Sequence, residues 1–281
     1  MNICNALIEG AEILKKNSIS SAQLDSEILM SKAIDKSREY VLTNSLEKLD
    51  QKSLALFSDL IKSRSFGKPI AYLTKKKFFW KYEFDITEDV LIPRPDTEVL
   101  VESILKLTKN RTKLSVLDIG VGSGCLLLSI IKEKKSFRGV GIDVSKKCIH
   151  TSSFNAFKLG VKNKVKFFNS NIDNFKFGKY DLIISNPPYI KSFELKYLEK
   201  DIVDFEPIVA LDGGLDGLSE IRKVIKNSSE LIKKNGKLVL EIAFNQKQKV
   251  KSILFNNGFY ANKIIKDLAG KDRCIISTKI K

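Results

Sequence analysis

The chain has 281 residues, 43% hydrophobic and 29% charged, enough apolar material for two domains or one large one. No apolar run reaches the ~18–20 residues of a membrane-crossing helix. Scattered Cys4, Cys125, Cys148 and Cys274 with a lone histidine, His150, argue against a zinc cluster, any other metal site or His-based catalysis, and predict reduced thiols, a cytoplasmic setting and no membrane partner. The formal net charge of +16 comes from lysines dispersed along the chain. It fits an acidic or nucleic-acid partner as well as it fits a solvated cationic surface.

Residues 1–75 read as a small helical bundle. Ala6, Leu7, Ala11, Ile13 and Leu14 form one amphipathic stripe, and Ser20 or Ser21 is placed to cap a second helix carrying Leu24, Ile28, Leu29 and Ala33. A short third follows around Tyr40, and Leu54, Leu56, Phe57, Leu60 and Ile61 mark a fourth. The N-terminal stretch carries acids among its apolar residues and no charged leader, so it is not expected to be a signal peptide. A bundle placed ahead of a second domain is either a docking module or a structural cap.

Gly67-Lys68-Pro69 breaks the helical pattern. Residues 76–93 then read as a β-hairpin linker whose turn falls near Thr87-Glu88-Asp89. Arg94-Pro95-Asp96-Thr97-Glu98 opens a helix, with proline in its first turn and acids where the helix dipole favours them. Arg94, Thr97 and Glu98 either line a ligand entrance or merely start that helix.

Residues 94–281 form one α/β domain by pattern. Strands are predicted at 115–119, 139–143, 165–169, 182–185, 237–242, 260–266 and 274–278, with helices at 125–132, 145–159, 218–233 and 246–256. Such alternation means a doubly wound, mostly parallel sheet. No helix separates the last two strands, so one of them is antiparallel.

Two strand ends carry the chemistry. After the first strand, Asp118, Gly120, Val121, Gly122, Ser123 and Gly124 make a D-x-G-x-G-x-G turn into a helix. Cys125 stands where a dinucleotide fingerprint needs its third glycine, and there is no lysine-serine ending for a nucleotide-triphosphate loop. Asp143 ends the second strand, placed to grip both hydroxyls of a ribose. Asn171 is read as ending the third, placed to meet an adenine edge, with Ile172 packing on the ring.

The fourth strand runs into Asn186-Pro187-Pro188-Tyr189. The prolines fix their own φ and carry no N–H, and Asn186 is pushed to extended geometry. What remains is a rigid corner with the Asn186 amide oxygen and the Pro187 carbonyl as acceptors and the Tyr189 ring beside them. That set suits a planar –NH2 group. Adenosine without phosphates next to such a site points to S-adenosylmethionine as methyl donor, provided the first and fourth strands are neighbours. In-line displacement from a sulfonium needs mainly positioning, which supplies on the order of 7–11 kcal/mol. The acceptor nitrogen is then a protein side-chain amide, or alternatively a flipped-out adenine N6 or guanine amine. A non-catalytic RNA- or ribosome-binding module, which would not bind S-adenosylmethionine, is the remaining class.

These motifs resemble the HemK/PrmC family of glutamine methyltransferases. GKPIAYL (67–73), LIPRPDTEVLVE (91–102), LDIGVGSG (117–124), GIDVS (141–145), SNPPYI (185–190) and EPIVALDGGLDGL (206–218) occur in that family's order. The resemblance implies a class I (Rossmann-like) S-adenosylmethionine-dependent methyltransferase fold behind the helical bundle and hairpin. It implies that the bundle docks class 1 peptide chain release factors and that Asn186 to Tyr189 grip the glutamine of their GGQ loop. Asp143 would hold the ribose and Gly120–Gly124 the methionyl side. A nucleic-acid partner is not favoured, and a monomer is expected. Two positions depart from the family's pattern: Lys81 stands where many members carry glycine, and Asn171-Ile172 where many carry an Asp-Trp type pair. The acidic, glycine-rich loop 206–217 reads either as a lid on the substrate side or as an ordinary crossover.

Overall fold

The computed structural model describes residues 1–280, and it separates Met1–Lys76 with Glu199–Phe205 from Lys77–Leu198 with Glu206–Lys281. In the first unit Asn2 caps α1 (Ile3–Lys16) by accepting the Asn5 N–H at 2.8 Å, and Lys15 and Lys16 occupy the last turn, where the dipole favours cations. α2 (Ala22–Ile34), α3 (Arg38–Thr43), α4 (Gln51–Ser65) and α5 (Ile70–Thr74) follow. Ile3, Ala6, Leu7 and Leu14 pack with Leu29, Met30, Val41, Phe57 and Ile61. Close approach of the helices requires Gly10, because a Cβ there would lie 2.8 Å from both Phe57 and Ser26. The buried stripe of α1 therefore runs through Ile3, Ala6, Leu7, Gly10 and Leu14, whereas Ile13, expected within it, is exposed.

The second unit begins with a two-stranded ribbon, β1 (Lys76–Phe79) and β2 (Tyr82–Asp85). Its turn is Trp80-Lys81, not Thr87-Glu88-Asp89 as the sequence suggested. Trp80 takes a left-handed φ of +58°, its N–H donates to Glu98 Oε1 at 2.8 Å and its indole N–H to Glu133 Oε1 at 3.0 Å. These anchors hold a conformation that a tryptophan rarely adopts. Thr87–Asp89 makes a later turn, closed by the Val90 N–H on the Thr87 carbonyl.

α6 (Glu98–Leu107), β3 (Ser115–Ile119), α7 (Cys125–Glu133), β4 (Arg138–Asp143), α8 (Lys146–Lys158), β5 (Val165–Asn169) and β6 (Tyr180–Ser185) come next. α9 (Lys200–Phe205) belongs to the first unit. The chain then continues through α10 (Ser219–Leu231), β7 (Ile232–Glu241), α11 (Lys247–Asn256), β8 (Phe259–Lys266) and β9 (Asp272–Lys279). The sheet order is β5-β4-β3-β6-β7-β9-β8. β9 runs antiparallel to both neighbours and the other pairings are parallel. The central strands read as continuous apolar runs because both faces are covered: Leu117, Ile183, Leu238 and Leu240 pack with Ile221, Val224 and Ile225 of α10, and the alternate residues Val116, Leu182, Ile184 and Val239 are buried as well. α10 stops at Leu231, two residues before its expected end, because Ile232 already pairs with Tyr180 as the first residue of β7. Among the described residues no helix is long and apolar enough to cross a membrane.

Candidate active site

The winding reverses between β3 and β6, which are neighbours in the sheet, and ligands of open α/β sheets bind at such a switch point, beyond the carboxyl ends of the strands. Register makes the placement specific. Ile119 pairs with Ser185, and the buried Ser185 hydroxyl donates to the Ile119 carbonyl at 2.7 Å, so Gly120 and Asn186 leave the sheet side by side.

Asn186 follows β6 directly. Its Nδ2 donates to Thr97 Oγ1 at 3.2 Å, and its Oδ1 accepts no hydrogen bond among the described residues. Pro187 is buried and Pro188 half-buried, so the corner has a fixed base. Tyr189 is held at both ends. Its phenol donates to Glu241 Oε1 at 3.1 Å, and its carbonyl accepts from Gln246 Nε2 at 3.2 Å. The loop 206–217 braces the same backbone: the Ile190 N–H donates to the Leu211 carbonyl at 3.1 Å and the Gly213 N–H to the Ile190 carbonyl at 2.7 Å. Gln246 Nε2 also donates to the Gly217 carbonyl at 2.8 Å, tying this loop to Tyr189. At its start, buried Glu206 accepts Arg94 Nη2 at 2.6 Å and the Ile92 N–H at 3.3 Å.

On the other side of the crevice the Gly120 and Val121 N–H groups both donate to the Ile142 carbonyl at 2.9 Å, drawing the loop over β4. Asp143 Oδ2 accepts the Gly122 N–H and Oδ1 the Ser145 N–H, both at 2.9 Å, so its carboxylate is oriented before any ligand arrives. Burial raises its pKa while those N–H groups act to lower it. Val121 and Ser123 turn their side chains inward, and Asn155 Nδ2 donates to the Ser123 carbonyl at 2.9 Å; what this stretch offers outward is backbone. A Cβ added at Gly120 would meet nothing within 4 Å, which marks open space above the loop.

Asp118 lies deeper than a surface-reaching ligand group. It is 2% exposed, its Oδ2 has no partner, and burial pushes its carboxyl up to about 8 against the opposing pull of the Leu127 N–H. Asn171 and Ile172 are not brought to the crevice as expected. β5 ends at Asn169, two residues earlier; Asn171 Oδ1 is engaged by the Asp173 N–H at 3.0 Å, and Ile172 packs in the core with Phe175 and Tyr180. A residue that must fill the core cannot also lie open under a ring. The exposed apolar side chain beside Asp143 is Val144, 57% accessible, which sequence reasoning passed over.

Sequence reasoning also missed Glu241, Gln246 and Arg273. Glu241 ends β7 at 1% exposure, accepting the Thr97 hydroxyl at 2.7 Å as well as the Tyr189 phenol. Burial pushes its carboxyl up to about 7, and Tyr189 is raised first by burial and then by Glu241. Arg273 Nη1 lies 3.5 Å from the Tyr189 phenol oxygen, and its Nη2 pairs with Asp96 at 3.1 Å and Asp267 at 3.0 Å. The only available signal was an acid closing an otherwise apolar strand, KLVLE.

Residues 5–74 match the family model for the PrmC N-terminal domain, and residues 95–203 that for the methyltransferase small domain. The release factor glutamine methyltransferase of Clostridium acetobutylicum is 36% identical over 282 residues, covering 99% of each chain. The chain belongs to the release factor glutamine methyltransferase family. A second member, from Buchnera aphidicola subsp. Acyrthosiphon pisum, is 36% identical over 95% of each chain. The bifunctional methyltransferase of Rickettsia felis is 34% identical across 99% of this chain, which spans 58% of that longer protein. Among solved structures, ribosomal protein L11 methylase from Lactobacillus delbrueckii subsp. bulgaricus superposes with a TM-score of 0.52 at 17% identity, over 70% of this chain and 84% of that one. That likeness concerns the fold, a class I methyltransferase sheet.

Proposed function

We propose that the chain transfers a methyl group from S-adenosylmethionine to the side-chain amide nitrogen of the glutamine in the GGQ motif of class 1 peptide chain release factors, in the cytoplasm. The observation that carries this reading is the NPPY corner: an Asn186 oxygen left free to accept, level with a glycine loop across the β3–β6 switch point.

The residues present fit the donor. Open space above Gly120 and an Asp143 carboxylate that keeps lone pairs after taking two N–H groups together match a cationic, ribose-bearing molecule. The Gly120–Gly124 backbone and Asp143 would hold it, with Val144 offering apolar surface. When bound, S-adenosylmethionine supplies a methyl group already activated on a sulfonium.

Everything else falls to this chain. Asn186 Oδ1 and the Pro187 carbonyl accept the two hydrogens of the glutamine –NH2, and the Tyr189 ring packs on the amide plane. Holding both hydrogens opposes free rotation and limits delocalisation of the nitrogen lone pair into the carbonyl. As positive charge develops on nitrogen those N–H···O contacts strengthen, which stabilises the transition state more than the ground state. As the N–C bond forms the S–C bond breaks and the sulfur leaves as a neutral thioether. The methylated nitrogen, a strong acid while it carries both hydrogens, gives one up to solvent, so no histidine base is needed for this step. The bundle of the first unit is the docking module for the release factor in this reading.

A methyl-transfer assay with labelled donor tests it, offering release factor, duplex DNA and ribosomal RNA side by side with Asn186→Ala as control. Label on the GGQ glutamine, lost in the variant, is expected. Label on nucleic acid alone would assign the corner to a base amine instead.

A further inference from the structure

We infer that Glu241 is a positioning residue that sets which end of the Asn186 amide faces the substrate, acting through the Thr97 hydroxyl. This rests on the reading of Asn186 as the acceptor of the glutamine amide.

The number of hydrogens available fixes the direction of each contact. A carboxylate has none to give, so the single Thr97 hydroxyl hydrogen lies on its 2.7 Å contact with Glu241 Oε2. Thr97 Oγ1 is then left only to accept. The contact at 3.2 Å from Asn186 must be supplied by an N–H, and only Nδ2 of that amide has one. Oδ1 is thereby turned away from Thr97 and kept as an acceptor. If the amide rotated, its oxygen would face Thr97. The hydroxyl hydrogen would have to turn to it, leaving two oxygens 2.7 Å apart at Glu241 with nothing between them. An amide presenting –NH2 to the –NH2 of a glutamine would repel it.

The same carboxylate takes the Tyr189 phenol on its other oxygen, so one buried acid orients both the acceptor and the ring. Its environment is defined on every side. Asp96 and Thr97 come from the turn before α6, Tyr189 from the strand end, Arg273 and Cys274 from β9, and the Cys125 thiol from the start of α7. Burial, with a smaller contribution from Asp96, pushes the Glu241 carboxyl up to about 7, against the Thr97 hydrogen bond, the Arg273 cation and the Tyr189 phenol, which favour the ionised form. Protonated, Glu241 supplies the hydrogen on the Thr97 contact itself and removes the constraint on Asn186.

The test uses the full chain with Thr97→Val, Thr97→Ser and Glu241→Gln, with release factor as substrate. Thr97→Val is expected to lower kcat by roughly 10- to 100-fold, the scale of losing one preorganised polar contact, with donor Kd unchanged. Thr97→Ser keeps the hydroxyl and recovers most of the rate. In Glu241→Gln the acid limb of the kcat profile near neutrality is expected to disappear, while titration of Asp118 is untouched. A second readout needs no turnover. One Asn186 side-chain amide proton, assigned by NMR against Asn186→Ala, is slowed in exchange in the wild type and fast in Thr97→Val. Should wild-type enzyme fail to label release factor, the proposed function falls and the amide protons alone decide the relay. Should Glu241→Gln not fold, the Thr97 pair decides it. Wild-type kcat together with unchanged Asn186 amide exchange in Thr97→Val would overturn the inference.

Discussion

Gly217→Ala offers a quantitative test of how the loop 206–217 supports the active corner. Gly217 has φ +73°, and a Cβ there would lie 2.5 Å from the Tyr189 carbonyl oxygen and 3.0 Å from Gln246 Nε2. Left-handed backbone costs an alanine about 1–2 kcal/mol. The nearest atom is backbone, so no side-chain rotation relieves the contact, and Tyr189 must move. Moving it breaks the 3.2 Å bond from Gln246 to the Tyr189 carbonyl, worth about 1 kcal/mol net. Together these amount to roughly 2–3 kcal/mol of unfolding free energy. Catalysis should fall as well, since misplacing a group at the reacting centre by about 1 Å costs on the order of 100-fold in rate. Gly270→Ala is the control: φ is +75° but nothing lies within 4 Å of its Cβ, so only the backbone term of about 1–2 kcal/mol applies. Urea titration followed by kcat for both variants provides the comparison. Equal destabilisation of the two, with Gly217→Ala still at wild-type kcat, would refute the claim that this loop is a brace for Tyr189.

Asp143→Ala should weaken donor binding by roughly 10²–10³-fold, the worth of one or two hydrogen bonds to a charged acceptor, measured by calorimetry. Arg94→Ala strands the buried Glu206 carboxylate, which now takes Arg94 at 2.6 Å, and is expected to cost on the order of 3 kcal/mol in chemical denaturation. Asp118 contributes to the pH dependence of stability together with Glu241, which burial also raises: the Asp118 carboxyl is pushed up to about 8 in the fold against 3.8 as the ordinary value. Between those two values the native state keeps a proton that the unfolded chain has lost, so stability falls as pH rises from about 4 to about 8. Asp118→Asn should flatten the midpoint-versus-pH curve over that window, and an unchanged slope would remove Asp118 as its source.

Local pattern was enough for the elements. Ser115–Ile119 and Val165–Asn169 are continuous or alternating apolar runs bounded by polar residues, and their limits in the fold are the ones the periodicity implies. Asp143 and Asn186 were legible because each sits where a strand stops, and a stop is a local event written in neighbouring residues. Failures came where the deciding contact is distant. Trp80 turns the hairpin because Glu98 and Glu133 hold it, and nothing in FFWKYEF announces that. Ile172 is claimed by a core assembled from β4, β6 and α10, so its apolar character pointed inward rather than to a ligand.

The chain's own order of residues therefore determined the helical bundle, the alternating sheet, the glycine loop and the acceptor corner, since each depends on spacing within a few residues. Only tertiary structure decided the polarity of that corner. Thr97 meets Glu241 across 144 positions and Asn186 across 89. A hydrogen bond fixes the direction of an amide only when donor and acceptor are both placed, and three segments of the chain must come together before they are.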